Sequence, residues 1–390
     1  MKPAATIRDE RRSLKVSVKA TKSNVIGWDV GGAHLKAALL DGNGQLQQVL
    51  QVACPLWRGL HELEAAIDIV LNTFAINSAL HAVTMTGELV DLFANRKEGV
   101  EKISRVMQAK LNDTIFNDTS NMVKFYTGAL EIGFVSVEDV DDYWQHIASA
   151  NWLASASFVA TKIQYGLMMD VGSTTSDFVL LENNKPVCLG FTDADRMQSE
   201  ALVYTGVVRT PLMAVAQKVK FKNETTSVAA EFFATSADVY RLTGDLQAED
   251  DMADAADGQE KTQLASARRI ARMIGHDVED ATMMDWIALA YQFKLQQMAR
   301  LQSVSLAHIS RIPDHIHQQS ICLVGAGAGS FLVREIAQAL DIQYVDVADL
   351  ITQDGDDGVS QVIGNVAETQ RWASVCLPAY AVAHLAYNRT

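Results

Sequence analysis

The chain has 390 residues, 48% of them hydrophobic, with 33 Lys and Arg against 47 Asp and Glu and a formal net charge of -14. That length and apolar content fit two or three packed domains rather than a disordered chain, and the negative charge argues against nucleic acid or an anionic membrane as the main partner. No window approaches the roughly 20 apolar residues of a membrane helix, and the four scattered cysteines (Cys54, Cys188, Cys322, Cys376) have neither metal-ligand spacing nor a disulfide pattern.

Reduced thiols in a cytoplasmic protein are therefore expected. Residues 1–23 form a basic tail without an apolar core, so a frayed tail or added strand is expected rather than a secretory signal. Val25–Val30 reads as a buried strand and Leu35–Leu40 as its return. "DGNG" at Asp41–Gly44 is a hairpin turn, and Gln45–Ala53 completes a three-stranded meander. His61–Phe74 and Glu98–Leu111 carry helical periodicity. Between them His81–Leu89 reads as a strand running into a loop. Val123–Tyr126 is a further strand, and Asp139–Thr161 is mostly helical.

The pattern then restarts. Tyr165–Val171 and Ser176–Glu182 are strands, "ENNKP" is the turn and Val187–Phe191 the third strand. The chain thus reads as a duplicated α/β unit over 24–163 and 164–390, with inserted material at about 193–280. Within the insert, Gly244–Thr262 is an acidic loop, and Thr262–Ile274 and Ala281–Ile309 are long helices. Ser320–Leu332 reads as a strand, a Gly-rich turn and a helix start, and Val366–Tyr387 as an apolar helix.

Each half opens with an Asp at a strand end followed by a Gly turn: "DVGGAHLKAALL" from Asp29 and "DVGSTTSDFVLL" from Asp170. Glycines let backbone N–H groups approach phosphate oxygens closely. The adjacent carboxylate can hold Mg²⁺ or a metal-bound water. One such turn is often only a turn; two, with the later "GAGAG" at Gly325–Gly329, place two phosphate loops facing across a cleft.

These blocks resemble the actin-like ATPase superfamily of sugar kinases, actin, heat-shock chaperones and hydantoinases. The implied fold is α/β, a duplicated ribonuclease H-like (actin-like ATPase) architecture with two lobes around a cleft. The second hairpin is most similar to the hydantoinase/oxoprolinase version. "GWDVGGAHLKAA", "TMTGELVDLF", "YTGVVRTPL" and "EFFATSADVYRLTG" also resemble the tetrahydromethanopterin-linked one-carbon transfer pathway proteins. That family includes the archaeal aminomethylfuran synthase of methanofuran biosynthesis. The resemblance implies condensation of a furan-methyl diphosphate with a tyramine- or tyrosine-type phenol, releasing diphosphate.

On that reading Gly31, Gly32, Gly172, Ser173, Thr174 and Thr175 would bind diphosphate, and Asp29 and Asp170 would hold Mg²⁺. Lys36 would pair with a phosphate oxygen, or be a solvated strand residue. His34 stands where the kinases have Thr or Ser; it is a candidate base for the phenol or a plain turn residue. Glu88, after a strand end, is a candidate base or metal contact, or a helix-start carboxylate. Arg209, followed by Thr210 and Pro211, is suited to grip a phosphate or carboxylate. Gly325 and Gly327 would shape an adenine, furan or phenol pocket. "DDMAD" (Asp250, Asp251, Asp254) matches the Mg²⁺-diphosphate pattern of isoprenyl synthases, but an acidic run of this kind is expected to be a solvated loop.

The competing reading is an ATP-dependent kinase or hydrolase, with ATP or ADP in the cleft. A nucleotide-dependent regulator is a third; no basic helix-turn-helix supports it. The partners expected are small molecules, with no nucleic acid and no membrane, and a homo-oligomer is left open.

Overall fold

The computed structural model describes residues 22–112, 122–129, 131–313, 315–317, 320–352 and 366–389. The basic tail up to residue 21 lies outside the described residues. The first half contributes β1 (Val25–Val30), β2 (His34–Leu40), β3 (Leu46–Ala53), α1 (Leu60–Phe74), β4 (Leu80–Met85), α2 (Arg96–Asn112), β5 (Met122–Tyr126), β6 (Phe134–Val135), α3 (Val140–Ile147) and α4 (Asn151–Ala160). The second contributes β7 (Tyr165–Val171), β8 (Ser176–Glu182), β9 (Lys185–Val187), α5 (Asp193–Gln198), β10 (Leu202–Val203), α6 (Leu212–Val215), β11 (Lys218–Phe221), β12 (Glu224–Ser227), α7 (Ser236–Thr243), α8 (Gln263–Arg272), α9 (Met283–Ile309), β13 (Cys322–Ala326), α10 (Ser330–Ala339), β14 (Gln343–Asp346), α11 (Val347–Thr352), α12 (Val366–Val375) and α13 (Leu377–Tyr387).

The sheets run β3-β2-β1-β4-β5-β6 and β10-β8-β7-β13-β14, with β9 beside β8. In both, an antiparallel hairpin is followed by parallel strands: β1 pairs β2 antiparallel and β4 parallel, and β7 pairs β8 antiparallel and β13 parallel. The register repeats as well. Asp29 faces Lys36 across its hairpin and Asp170 faces Asp177. This is the duplicated ribonuclease H-like order of the actin-like ATPases.

Side-chain alternation along these strands explains the layering. Ile26, Trp28 and Val30 pack outward with α1 and α2, while Val25 faces inward. Leu167, Met169 and Val171 pack outward with α8–α10, while Met168 faces inward. The inner faces share one core, filled by α4 and α13. Strands buried on both faces read as continuous apolar runs, which is what the sequence displays. A Cβ on Gly27 would lie 2.8 Å from the Ala383 Cβ, so β1 accepts α13 only because it carries no side chain there.

Three elements differ from expectation. Residues 188–191 do not continue the strand, because Gly190 (φ 152°) turns the chain toward the Thr192 capping box that starts α5. The helical stretch after Asp139 breaks into α3 and α4 around Ser149 (φ 51°). The C-terminal helix breaks at Cys376, since Pro378 in the first turn of α13 cannot continue a preceding helix.

Candidate functional site

Alternation also places the chemistry. Asp29 shares the inner face of β1 with Val25 and Gly27, and Asp170 that of β7 with Gly166 and Met168. Both carboxylates end their strands at a cleft of about 740 Å³ between the sheets. The two turns close alike: Gly31 N–H donates to the His34 carbonyl at 3.0 Å and Gly172 N–H to the Thr175 carbonyl at 2.9 Å. Parallel neighbours seal them from behind. Thr86 N–H donates to the Val30 carbonyl at 2.9 Å and Gly329 N–H to the Val171 carbonyl at 2.8 Å. Gly327 (φ 77°) lies so close that a Cβ would sit 2.6 Å from the Val171 carbonyl oxygen.

The cleft brings together Asp29, Gly31, His34, Lys36, Asp170, Gly172, Ser173, Thr174, Thr175, Arg209 and Gly327. Three candidates are not among its lining residues. Gly32 packs on Val90, and Gly325 lies under the Tyr344 ring, 2.8 Å from a would-be Cβ. Glu88 is buried beyond the cleft wall in a 3₁₀ turn, where the Ser149 hydroxyl donates to its Oε1 at 2.7 Å and Oε2 has no partner.

Sequence reasoning missed Thr86, Asn151 and Asp177, and the aromatic Trp57 and Phe232. Aligning the two hairpins would have found Asp177, the register counterpart of Lys36. The acidic run differs from expectation only in part: Asp250 and Asp254 both line the cleft, Asp254 exposed as a solvated loop residue would be and Asp250 with its side chain buried. Arg371 Nη1 donates to Asp250 Oδ2 at 2.9 Å, and Asp251 is buried against Arg241 and Lys261.

The electrostatics follow from this geometry. Burial raises the Asp29 carboxyl; its Oδ2 stands 3.9 Å from Lys36 Nζ and its Oδ1 has no partner. Burial opposes the Lys36 charge, yet Asp29, Cys376 and Asp170 together hold its ammonium above the usual range. Burial, then the Asp177 carboxylate, pushes Asp170 up to about 7. Burial, then the Lys36 and Arg209 charges, lowers His34 to about 4, leaving a neutral imidazole at pH 7. Asp177 itself is paired with Arg196 Nη2 at 2.6 Å. Arg209 makes no ion pair among the described residues and is open to the cleft.

Among the described residues no three His, Cys, Asp or Glu side chains gather as a metal cage. Two facing carboxylates with an unpartnered oxygen suit Mg²⁺ better, since it is commonly held by one or two carboxylates, waters and substrate phosphates. No described helix is long and apolar enough to cross a membrane.

Burial holds the Glu88 carboxyl at about 7, above its ordinary 4.5. The folded state therefore keeps a proton there that the unfolded chain releases, so this residue's effect on stability worsens as pH rises from about 4.5 through about 7. Glu88→Gln is expected to flatten that decline in urea melts at pH 5 and pH 8. Turnover should stay within a few-fold, because the side chain does not line the cleft; a loss above a hundredfold with a normal melt would make Glu88 part of the chemistry.

The chain is 29% identical over 310 residues to the (4-{4-[2-(gamma-L-glutamylamino)ethyl]phenoxymethyl}furan-2-yl)methanamine synthase of Methanocaldococcus jannaschii, covering 78% of this chain and 87% of that one. It is 26% identical over 173 residues to the protein of the same name from Methanococcus vannielii, covering 44% of this chain and 76% of that one. A solved structure, the activator of the 2-hydroxyisocaproyl-CoA dehydratase from Clostridium difficile with bound ADPNP, is 10% identical, covers 94% of this chain and 95% of that chain, and superposes with a TM-score of 0.42. The hydantoinase/oxoprolinase family pattern matches residues 79–351, well over half the chain, and the chain belongs to that family.

Proposed function

We propose that the chain is a cytoplasmic transferase that joins a furan-methyl diphosphate to the phenol of a glutamyltyramine-, tyramine- or tyrosine-type acceptor and releases diphosphate. Its product would be a precursor of a methanofuran-type cofactor serving tetrahydromethanopterin-linked one-carbon metabolism. The observation that carries this reading is the 29% identity, over 78% of the chain, to a synthase named for a product that is an aryl ether at a furan methylene.

The cleft supports it chemically. The furan-methylene C–O bond breaks with its electron pair leaving on diphosphate, and the ring spreads the charge left on carbon. The phenol oxygen then bonds to that carbon and gives up its proton. Backbone N–H groups of the Gly31 and Gly172 turns, with the Ser173 and Thr174 hydroxyls, Lys36 and Arg209, offer donors to the departing anion. Asp29 and Asp170 would hold Mg²⁺, which when bound neutralises diphosphate charge. His34, neutral at pH 7, can accept a hydrogen bond from the phenol. The Trp57 and Phe232 rings offer faces on which flat substrates stack.

The test is direct. Purified protein with Mg²⁺, an aminomethyl-furfuryl diphosphate and tyramine or its γ-glutamyl derivative should yield the aryl ether and diphosphate in equal amounts by mass spectrometry. No ether with any phenol, together with ATP hydrolysis, would replace this reading with the kinase or hydrolase one.

A further inference from the structure

The cleft carries more negative charge than a diphosphate site needs. Its lining includes Asp29, Asp170, Asp177, Asp250 and Asp254, against the cations Lys36 and Arg209. Asp29 and Asp170 fit Mg²⁺, and Asp177 is paired with Arg196. Asp177, although its charge still reaches Asp170, thus has a partner of its own, which leaves the acidic loop. Asp254 is exposed to the cleft and has no hydrogen bond or ion pair among the described residues. Asp250 has a side chain only 4% exposed; one oxygen takes Arg371, and Oδ1 has no partner at all. An unsatisfied buried carboxylate oxygen costs stability unless something in use repays it.

The loop is held in place. Arg241 and Lys261 grip Asp251, the buried Arg269 grips Asp257 at 2.9 Å, and Gln51 of β3 meets Met252 from the opposite half. With Asp251 and Asp257 tied back in this way, Asp250 and Asp254 are the loop carboxylates that line the cleft. No three-carboxylate metal cage forms among the described residues, so a single positive ligand group is the better match. The product for which the relatives are named ends in a methanamine, which carries an ammonium at neutral pH.

We infer that Asp254 and Asp250 bind the ammonium of the furan substrate's aminomethyl arm and so select the donor; the inference rests on the transferase reading. Asp254 supplies the open carboxylate and Asp250 the second, through its unpartnered Oδ1.

Binding and turnover separate the two ideas. Calorimetry on the full chain with Mg²⁺ and diphosphate present would compare furfurylamine with furfuryl alcohol. The amine should bind at least about tenfold tighter, and Asp254→Asn should erase that preference. Asp254 has no structural partner to lose, so the variant should fold; Asp250→Asn is the second variant. In turnover, the loss should sit in KM for the aminomethyl donor and be absent for a donor lacking the arm. Equal binding of amine and alcohol, or an amine preference kept in both variants, would overturn the inference. So would loss of Mg²⁺ affinity in Asp254→Asn, which would make these carboxylates metal ligands. Amine selectivity without any ether synthesis would instead overturn the transferase reading alone.

Discussion

Asp170→Asn is expected to lower turnover about a hundredfold to a thousandfold while making the ligand-free protein more stable at pH 8. Both effects come from one cause. Burial and the Asp177 charge hold the Asp170 carboxyl at about 7, against 3.8 as its ordinary value. The folded state thus binds a proton more tightly than the unfolded chain. Below about pH 4 both states are protonated and nothing is lost. As pH rises from about 4 to about 7 the unfolded chain releases the proton that the folded protein keeps, so stability falls, levelling off above about 7. Asparagine removes that charge, so the gain in melting temperature should be present at pH 8 and vanish near pH 4. The same charge is what would attract Mg²⁺, and through Mg²⁺ the diphosphate, so wild type should regain stability when both are added and the variant should not. Asp29→Asn should behave likewise in turnover, although its neighbour across the hairpin is Lys36 rather than a second carboxylate. Near-normal turnover in both variants would remove the metal-holding role from these strand ends.

Arg269→Met should cost about 3–5 kcal/mol of stability, the range for breaking a buried charge network by removing one member. Arg269 is fully buried. Its Nε donates to Asp238 Oδ1 at 2.8 Å and its Nη1 to Asp257 Oδ1 at 2.9 Å, and it also reaches the Glu260 carbonyl at 3.2 Å. Asp238 in turn closes the capping box of α7 and accepts from Arg241 at 2.9 Å and the Ser266 hydroxyl at 2.9 Å. Methionine would fill the space but leave Asp238 one cation short, and the acidic loop would lose its grip on α8. Denaturant melts should show the loss, and turnover should fall with it because Asp250 and Asp254 are no longer held at the cleft. A cost below about 1 kcal/mol would mean that Arg241 alone satisfies Asp238.

The strands were legible because both their faces are buried, so periodicity reduced to apolar runs bounded by Asp and Gly. The hairpins were legible because they occur twice. What escaped the sequence depended on partners distant along the chain. "DDMAD" reads as solvated by composition, yet Arg241 and Lys261 take up the charge of Asp251 and Arg371 that of Asp250, leaving Asp254 open. Glu88 reads as a strand-end carboxylate, yet β4 ends at Met85 and Thr86 holds the cleft edge while Glu88 turns under it. The break at Cys376 was marked by Pro378, a local signal overlooked within an apolar run.

Helix α13 closes against β1 at Gly27, so a strand made early is covered by a helix made more than 340 residues later. At about 5–20 residues per second, that strand's inner face waits some tens of seconds for its cover. During synthesis the sheet built on β1 has an uncovered apolar inner face until α13 arrives. Synthesis of α13, rather than completion of either sheet, is the step at which the shared inner core, and the cleft above it, can first close.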